Sequence, residues 1–297
     1  MKQAIQKAMI EIANPKKGKE LSAYMKNVLP FRGLQQPEIT KVFNSFKDEI
    51  KELEDDQKYE IADFLMRQEY GEDKKIALMI AEKIKFNFQR IKLTEKWFVD
   101  GHIKEWATAD TYCGRVLKKF VIDKENAKLM LDWAKQENLW MRRSSCVGFV
   151  TLARKKVCDM NLLFEICQEN IVHQERFNQL GTGWLLREMS LADLKGVIEF
   201  IEKNIKYFSS EGLRYAYEKM KQNDQNYLKN LLKKTNSKGN NQQDDDDDDE
   251  EEEKEKGQKQ KKQKLKKNDS EEEEEESEEE FKIKKPKRQS RQYKRKL

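Results

Sequence analysis

Apolar residues recur at helical spacing along most of the first 235 positions of the chain. Two examples are the sets Ile61, Phe64 and Leu65, and Ile76, Met79, Ile80 and Ile84. In each set the spacing places the apolar side chains on one face of a helix. The same periodicity predicts helices over residues 38–52, 92–101, 105–121, 125–136, 139–155, 159–170, 175–189, 192–205 and 210–221. Strand signals are scarce, so the pattern predicts an all-α body.

Short polar links separate these predicted helices. Gly71-Glu72-Asp73 and Asp123-Lys124 are two such links, while Pro15 and Pro37 stand where helices are expected to begin. Short links make successive helices antiparallel neighbours. A succession of about a dozen such helices predicts an α-solenoid of HEAT-like helix pairs, with an irregular bundle as the alternative. A solenoid offers a concave face that suits a long polymer.

Charge divides the chain near residue 236. Residues 1–235 carry a net charge of +8, and residues 236–297 carry −3 in alternating blocks. The blocks are Asp244 to Glu253, Lys259 to Lys267, Glu271 to Glu280 and a basic end. They contain too little apolar area to offset the entropy of ordering. We therefore expect one domain over 1–235 and a disordered tail over 236–297.

The two regions predict different partners. The basic body favours a polyanion, whereas acidic blocks in the tail are expected to bind basic nuclear proteins. The run Lys284-Lys285-Pro286-Lys287-Arg288 has the composition of a nuclear import signal. It predicts a nuclear location, with the cytoplasm as the alternative.

Several classes of protein are disfavoured by what the chain contains. The relevant residues are Cys113, Cys146, Cys158, Cys167, His102 and His173. No two cysteines form a CxxC pair, and two histidines are too few for a zinc centre or a histidine-based triad. The cysteines are expected to be packed, reduced thiols, with no metal and no cofactor. Because there is neither a signal peptide nor a long apolar run, we expect a soluble protein without a membrane partner.

Three predicted helices each pair a tryptophan with a charged residue one turn later. The pairs are Trp106 with Asp110, Trp140 with Arg143, and Trp184 with Arg187. Spacings of three or four residues place both members on one helix face. A carboxylate, two guanidinium groups and three indoles would then line one surface. Packing in the core is the alternative for each tryptophan.

Such a surface suits the removal of a purine alkylated on a ring nitrogen. The cationic base weakens its own glycosidic bond, and a carboxylate stabilises the oxocarbenium character of the sugar as that bond breaks. Aromatic faces attract the cationic base, and arginines hold the flanking phosphates. This chemistry requires no metal, thiol or histidine.

Four motifs carry a family resemblance. They are Tyr24-Met-Lys-Asn27 with Phe31 to Glu38, Trp106 to Asp110, Asn138-Leu-Trp-Met-Arg-Arg143, and Gly183-Trp184-Leu-Leu-Arg187-Glu188. In their order and spacing, residues from about 4 to 230 resemble the HEAT-like repeat DNA glycosylases of the bacterial DNA alkylation repair family. The resemblance implies a base excision repair enzyme that releases N3- or N7-alkylated purines from double-stranded DNA. It also implies a monomer.

The resemblance implies roles for the residues that match. Asp110 is the catalytic carboxylate, while Trp106 and Trp184 contact the deoxyribose and backbone of the lesion. Tyr24 lines the same cleft. Arg143 and Arg187 hold phosphates, although Arg187 has the alternative of tying Glu188 or another carboxylate within the scaffold.

The chain departs from the family beside the catalytic position. The family often reads W-W-D-x-V-D, whereas this chain has Glu105-Trp106-Ala107-Thr108-Ala109-Asp110. Glu105 replaces an aromatic residue and is expected to weaken DNA binding, while the retained Asp110 favours an active enzyme. Two alternatives remain open: a non-catalytic nucleic-acid-binding protein with the same fold, and a helical-repeat scaffold for nuclear proteins.

Overall fold

The computed structural model describes residues 1–239, and within them every regular element is a helix. The α-helices are α1 Lys2–Glu11, α2 Pro15–Tyr24, α3 Gln36–Ser45, α4 Lys47–Glu52, α5 Asp55–Met66, α6 Gly71–Ala81, α7 Phe88–Val99, α8 Trp106–Tyr112, α9 Lys118–Phe120, α10 Lys124–Ala127, α11 Leu129–Ala134, α12 Leu139–Val147, α13 Val150–Ala153, α14 Met160–Ile171, α15 Arg176–Ser190, α16 Leu194–Asn204, α17 Ser210–Tyr217 and α18 Gln222–Gly239. A π-helical turn, Cys113–Leu117, joins α8 to α9, and a 3-10 turn, Ile205–Tyr207, follows α16. The all-α prediction is confirmed.

From α5 onward the helices pack as successive pairs in two rows. The site row contains α6, α8, α12, α15 and α17, and the back row contains α5, α7, α11, α14 and α16. Aromatic pairs join neighbours in the back row, as in Tyr59 with Trp97 and Phe98 with Trp133. Buried apolar residues from both rows form a single core cluster. Each pair therefore covers the apolar face of the next, as stacked helical repeats require.

Ion pairs join neighbours in the site row at a nearly constant sequence separation. They are Glu82 with Arg115 (33 residues apart), Asp110 with Arg143 (33), Arg142 with Glu175 (33), Arg176 with Glu211 (35) and Arg187 with Glu218 (31). This separation is the length of one helix pair with its two links. The sequence motifs do not recur as an obvious repeat, but the ion pairs across the site row recur at this interval. The HEAT-like classification and the concave face remain predictions.

Helices of the site row run in the same direction. Asp110 of α8 pairs with Arg143 in the middle of α12, and Leu117, seven residues after Asp110, lies against Gly148 just after α12. Likewise, a Cβ on Gly183 would meet Gly212, and Arg187, one turn later in α15, pairs with Glu218, which is six residues after Gly212 at the end of α17. Residues at the same position along the axes of successive, parallel helices therefore face one another.

One predicted link is wrong: Gly71-Glu72-Asp73 is the first turn of α6, and Glu72 and Asp73 are fully buried. The Glu72 carboxylate accepts hydrogen bonds from the backbone N–H groups of residues 32–34, at 2.9–3.1 Å. Asp73 pairs with Arg32 at 2.5 Å. The polar residues that look like a surface turn are buried because they satisfy the connecting segment before α3.

Other predicted boundaries differ by a few residues or by a break. The predicted helix 139–155 is interrupted at Gly148 and Phe149, and 105–121 contains the π-helical turn. The last described helix, α18, runs to Gly239. The predicted disordered tail beyond it, including the import signal Lys284 to Arg288, lies outside the described residues. Within residues 1–239, no helix is both long and apolar enough to cross a membrane.

Candidate functional site

The charged members of two predicted pairs, Asp110 and Arg143, form one bidentate ion pair. Arg143 donates from Nε to Oδ1 and from Nη2 to Oδ2 of Asp110, both at 2.9 Å. The Arg143 side chain is 7% exposed, whereas the Asp110 side chain retains 19% exposure. The carboxylate therefore reaches the surface, and the cation that orients it lies beneath. Two parallel N–H···O bonds fix both the position and the plane of the carboxylate.

Local capping sets the helices that carry this pair. Glu105 is the N-cap of α8 and accepts from the N–H groups of Ala107 and Thr108, at 2.5 and 2.7 Å. Asn138 caps α12 in the same way and also donates to the carbonyl of Phe98, which ties α12 to α7. Glu105 is only 3% exposed. The expected effect of Glu105 on DNA binding is untested, but its carboxylate is directed into the protein.

Arg143 is also held from α15. Its Nη1 donates to the backbone carbonyl of Phe177 at 2.7 Å. Gly181 leaves room for this side chain, since a Cβ there would lie 3.2 Å from Cγ and 3.3 Å from Nη1 of Arg143. The site therefore spans three helices of the site row, and its central cation is fixed on both sides.

Aromatic side chains surround the ion pair on two sides. Trp106, one turn before Asp110, is 38% exposed. Trp140 is half-buried and packs against Phe177, with ring centroids 5.3 Å apart. Thus Trp106 is available to a ligand, while Trp140 is partly used in packing. Phe177 belongs to none of the sequence motifs, and the sequence indicates it only through its separation of 37 residues from Trp140, about one repeat.

Trp184 and Arg187 lie further along α15 and form a second cluster. The Arg187 guanidinium lies over the rings of Trp184 and Tyr215, 5.8 and 5.0 Å from their centroids. It also pairs with Glu218 at 2.5 Å and with Glu188 at 3.1 Å. The alternative that Arg187 ties carboxylates within the scaffold matches these contacts. Its predicted phosphate contact, like that of Arg143, remains a prediction.

Tyr24 ends α2 and is 61% exposed. Lys26 and Asn27, which follow it, adopt left-handed backbone conformations with φ of 52° and 57°. The same connection then brings Phe31 against Gly71 and into a small crevice with Ala107 and Thr108 of α8. The segment that bears Tyr24 is therefore anchored beside the first turn of α8, where Trp106 stands.

The exposure pattern defines a groove, here called the site groove. Every residue from Met141 to Val150 is buried, so α12 lies at the bottom. The partly exposed residues of α15 form one stripe, namely Phe177, Leu180, Trp184 and Arg187. On the other side, α8 and its π-turn expose Trp106, Asp110 and Gly114. The site groove therefore has α12 as its floor and α8 and α15 as its walls.

The thiol beneath Asp110 is not poised for reaction. Burial, with the nearby Asp110 carboxylate adding to it, raises the pKa of Cys113 well above the ordinary thiol value. A neutral, fully packed thiol is a poor nucleophile. Cys113, Cys146 and Cys167 are buried, free cysteines, and Cys158 is half-buried. Among residues 1–239, no cluster of three or more His, Cys, Asp or Glu side chains is arranged to hold a metal ion.

Comparison with known proteins places this architecture in context. Residues 5–220 match the sequence model of a family described as "DNA alkylation repair enzyme". A solved structure described as a predicted DNA alkylation repair enzyme from Enterococcus faecalis superposes with a TM-score of 0.63 at 20% identity, covering 71% of this chain and 97% of that one. At this identity the likeness concerns the fold. No curated protein matches the chain.

Proposed function

Because the chain belongs to the DNA alkylation repair enzyme family, we propose that it is a DNA glycosylase that hydrolyses the N-glycosidic bond of N3- or N7-alkylated purines in double-stranded DNA. The observation that carries the proposal is the Asp110–Arg143 pair, in which a buried guanidinium presents a carboxylate at the surface of a groove. Asp110 is the catalytic carboxylate, and Arg143 positions it.

The ion pair suits a carboxylate that must work beside phosphates. An unpaired carboxylate facing a polyanion would weaken binding, whereas pairing with Arg143 reduces that repulsion. Each carboxylate oxygen of Asp110 accepts one hydrogen bond from Arg143 and has a second lone pair that is not used by Arg143. Those lone pairs can accept from an attacking water, and the negative charge stabilises the developing oxocarbenium ion. Because the carboxylate is already oriented, little reorganisation accompanies the reaction.

Exposed aromatic groups supply the remaining requirement. Trp106 stands one turn from Asp110 on the same face of α8, where it can contact the lesion's deoxyribose. Trp184 extends the site groove toward the strand that flanks the lesion, and Tyr24 contacts the same strand from the segment beside α8. The site groove is open, so the damaged nucleotide is held against a surface and is not enclosed in a deep pocket.

The test compares wild type with Asp110→Asn on N-methylated duplex DNA. Chromatography measures released bases, and a gel-retention assay measures binding to the same duplex. We expect the variant to lose base release and to keep DNA affinity within about threefold, because the amide preserves shape but not charge. Asp132→Asn, on α11 of the back row, is the matched control and should release bases as wild type does.

The other outcomes identify the alternatives. Release by Asp110→Asn at the wild-type rate would contradict the role given to Asp110. Retention of DNA without base release by wild type would leave a non-catalytic binder of nucleic acid. A wild-type chain that neither binds DNA nor releases bases would point to a scaffold for other proteins.

A further inference from the structure

Two cations at the far end of the site groove, Lys118 and Arg154, have no partner in the protein. Neither side chain makes a hydrogen bond or an ion pair with another residue of the described range 1–239. Arg154 is exposed and Lys118 is half-exposed. By contrast, the guanidinium groups of Arg142, Arg143, Arg176 and Arg187 all hold carboxylates. The unpaired charge of the site groove is therefore concentrated away from Asp110.

The π-helical turn Cys113–Leu117 determines where Lys118 points. In an undistorted α-helix, eight residues would carry Lys118 about 80° past the direction of Asp110, at 3.6 residues per turn. The i→i+5 winding takes up about one extra residue, which returns Lys118 close to the direction of Asp110. Arg115 and Lys119 flank Lys118 in sequence and pair with Glu82, on the side toward α6. Lys118 therefore projects from the site-groove side of its helix.

Arg154 continues the floor of the site groove. It directly follows α13, which carries on from α12 after the break at Gly148. Leu152 and Ala153 are buried against the core, whereas Thr151 and Arg154 are exposed. α12 packs between α8 and α15 with α14 behind it, and α13 keeps the packing against α15. The exposed side of α13 therefore continues the side of α12 that bears Arg143. Lys155 and Lys156 follow Arg154 and are also exposed, so the positive potential extends past it.

We propose that Lys118 and Arg154 bind the phosphate backbone of the DNA strand that flanks the lesion. At a rise of 1.5 Å per residue, with one residue taken up by the π-helical turn, Lys118 lies about 10 Å beyond Asp110, and Arg154 lies about 16 Å beyond Arg143. With 3.4 Å of helix axis per nucleotide on one strand, these offsets correspond to about three to five nucleotides. The two cations therefore neutralise phosphates several steps from the damaged base. This proposal rests on the proposed function, since it takes the site groove to receive DNA.

The experiment measures the salt dependence of binding to an unmodified duplex two helical turns long, with the full chain. Lys118→Gln and Arg154→Gln are compared with the control Lys119→Gln. Lys119 carries the same charge one residue after Lys118, but its side chain is held by Glu82. Each phosphate contact contributes about 0.9 to the slope of log K against log salt. We expect each test variant to flatten that slope by about 0.9, and Lys119→Gln to leave it unchanged. Between 50 and 200 mM salt, each test variant should lose about 3.5-fold less affinity than wild type.

Circular dichroism melting shows whether each variant is folded, and exposed positions should leave the transition unchanged. A wild-type slope in both folded test variants, or equal flattening by Lys119→Gln, would overturn the inference. Duplex binding too weak to measure in wild type would overturn it as well. The slope is read on undamaged DNA, so failure here leaves the base-release assay intact. Flattened slopes without base release would overturn the glycosylase proposal alone.

Discussion

Replacing Arg143 with methionine should destabilise the protein more than any exposed charge substitution. Methionine keeps an unbranched stem of similar length but removes every donor to Asp110 and to the Phe177 carbonyl. Removing one partner of a buried ion pair costs about 3–5 kcal/mol. The lower end applies here, because 19% exposure lets water reach the stranded Asp110 carboxylate. We therefore expect a loss of about 3 kcal/mol in the free energy of unfolding.

Thermal denaturation followed by circular dichroism measures the effect. In a domain of this size, 1 kcal/mol shifts the midpoint by about 2–4 °C, so Arg143→Met should melt about 6–12 °C below wild type. Arg176→Met is the matched control, since Arg176 also makes a bidentate pair but its side chain is 60% exposed. Exposed pairs contribute about 0.2–1 kcal/mol, so the control should shift by less than about 4 °C.

The double variant Asp110→Asn with Arg143→Met isolates the charge. A neutral amide without its guanidinium is less costly to keep half-buried than a carboxylate, so the double variant should recover part of the loss. The reasoning fails if Arg143→Met melts no lower than Arg176→Met. It also fails if the two single effects simply add in the double variant, because the pair would then contribute no coupling.

Two further predictions concern backbone space and pH. Gly114→Ala should raise the melting midpoint, since a Cβ there meets nothing within 4 Å and the helix gains about 0.5–1 kcal/mol. Gly183→Ala should lower the midpoint, because its Cβ would lie 2.5 Å from the Gly212 carbonyl oxygen. Equal shifts in the two variants would contradict the packing of α15 on α17. Burial lowers the pKa of Lys74 to about 8, so above that pH the unfolded chain binds more protons than the folded one and stability should rise until the unfolded pKa near 10.5. Urea denaturation between pH 7 and 10.5 should show this contribution as a rise, on the order of 3 kcal/mol, in the stability of wild type relative to Lys74→Met, because buried thiols with raised pKa values oppose it equally in both chains. A difference between the two chains that stays constant with pH would exclude Lys74 as a source.

Local rules predicted most of the helices, because each carries its apolar face and its caps in its own sequence. They failed at Gly71-Glu72-Asp73, where local polarity suggests a surface turn. Glu72 is buried there to satisfy backbone amides about 40 residues earlier in the chain. No local pattern contains that information, since the partner segment is brought in by tertiary packing.

In the candidate site, too, the sequence predicted what lies within one helix and not what depends on packing between helices. Trp106 and Asp110 were found together because they are one turn apart on a single helix. The contact between Asp110 and Arg143 depends on the register between α8 and α12, which only packing sets. Consequently the sequence identified Arg143 as a residue of the site but left its relation to Asp110 unspecified. The partners of Arg187 were anticipated in part, since Glu188 is adjacent, whereas Glu218 lies 31 residues away.

The near-constant separation of about 33 residues between bonded neighbours also determines how the chain folds. The ion pairs of the site row join segments that leave the ribosome about one repeat apart, so these contacts do not wait for a distant part of the chain. Structures dominated by such local contacts fold rapidly, and synthesis proceeds at about 5–20 residues per second. The Asp110–Arg143 pair can form within seconds of Arg143 emerging, but its last restraint, the Phe177 carbonyl, arrives with the next repeat. The geometry of the candidate site is therefore completed one repeat later than the Asp110–Arg143 ion pair at its centre.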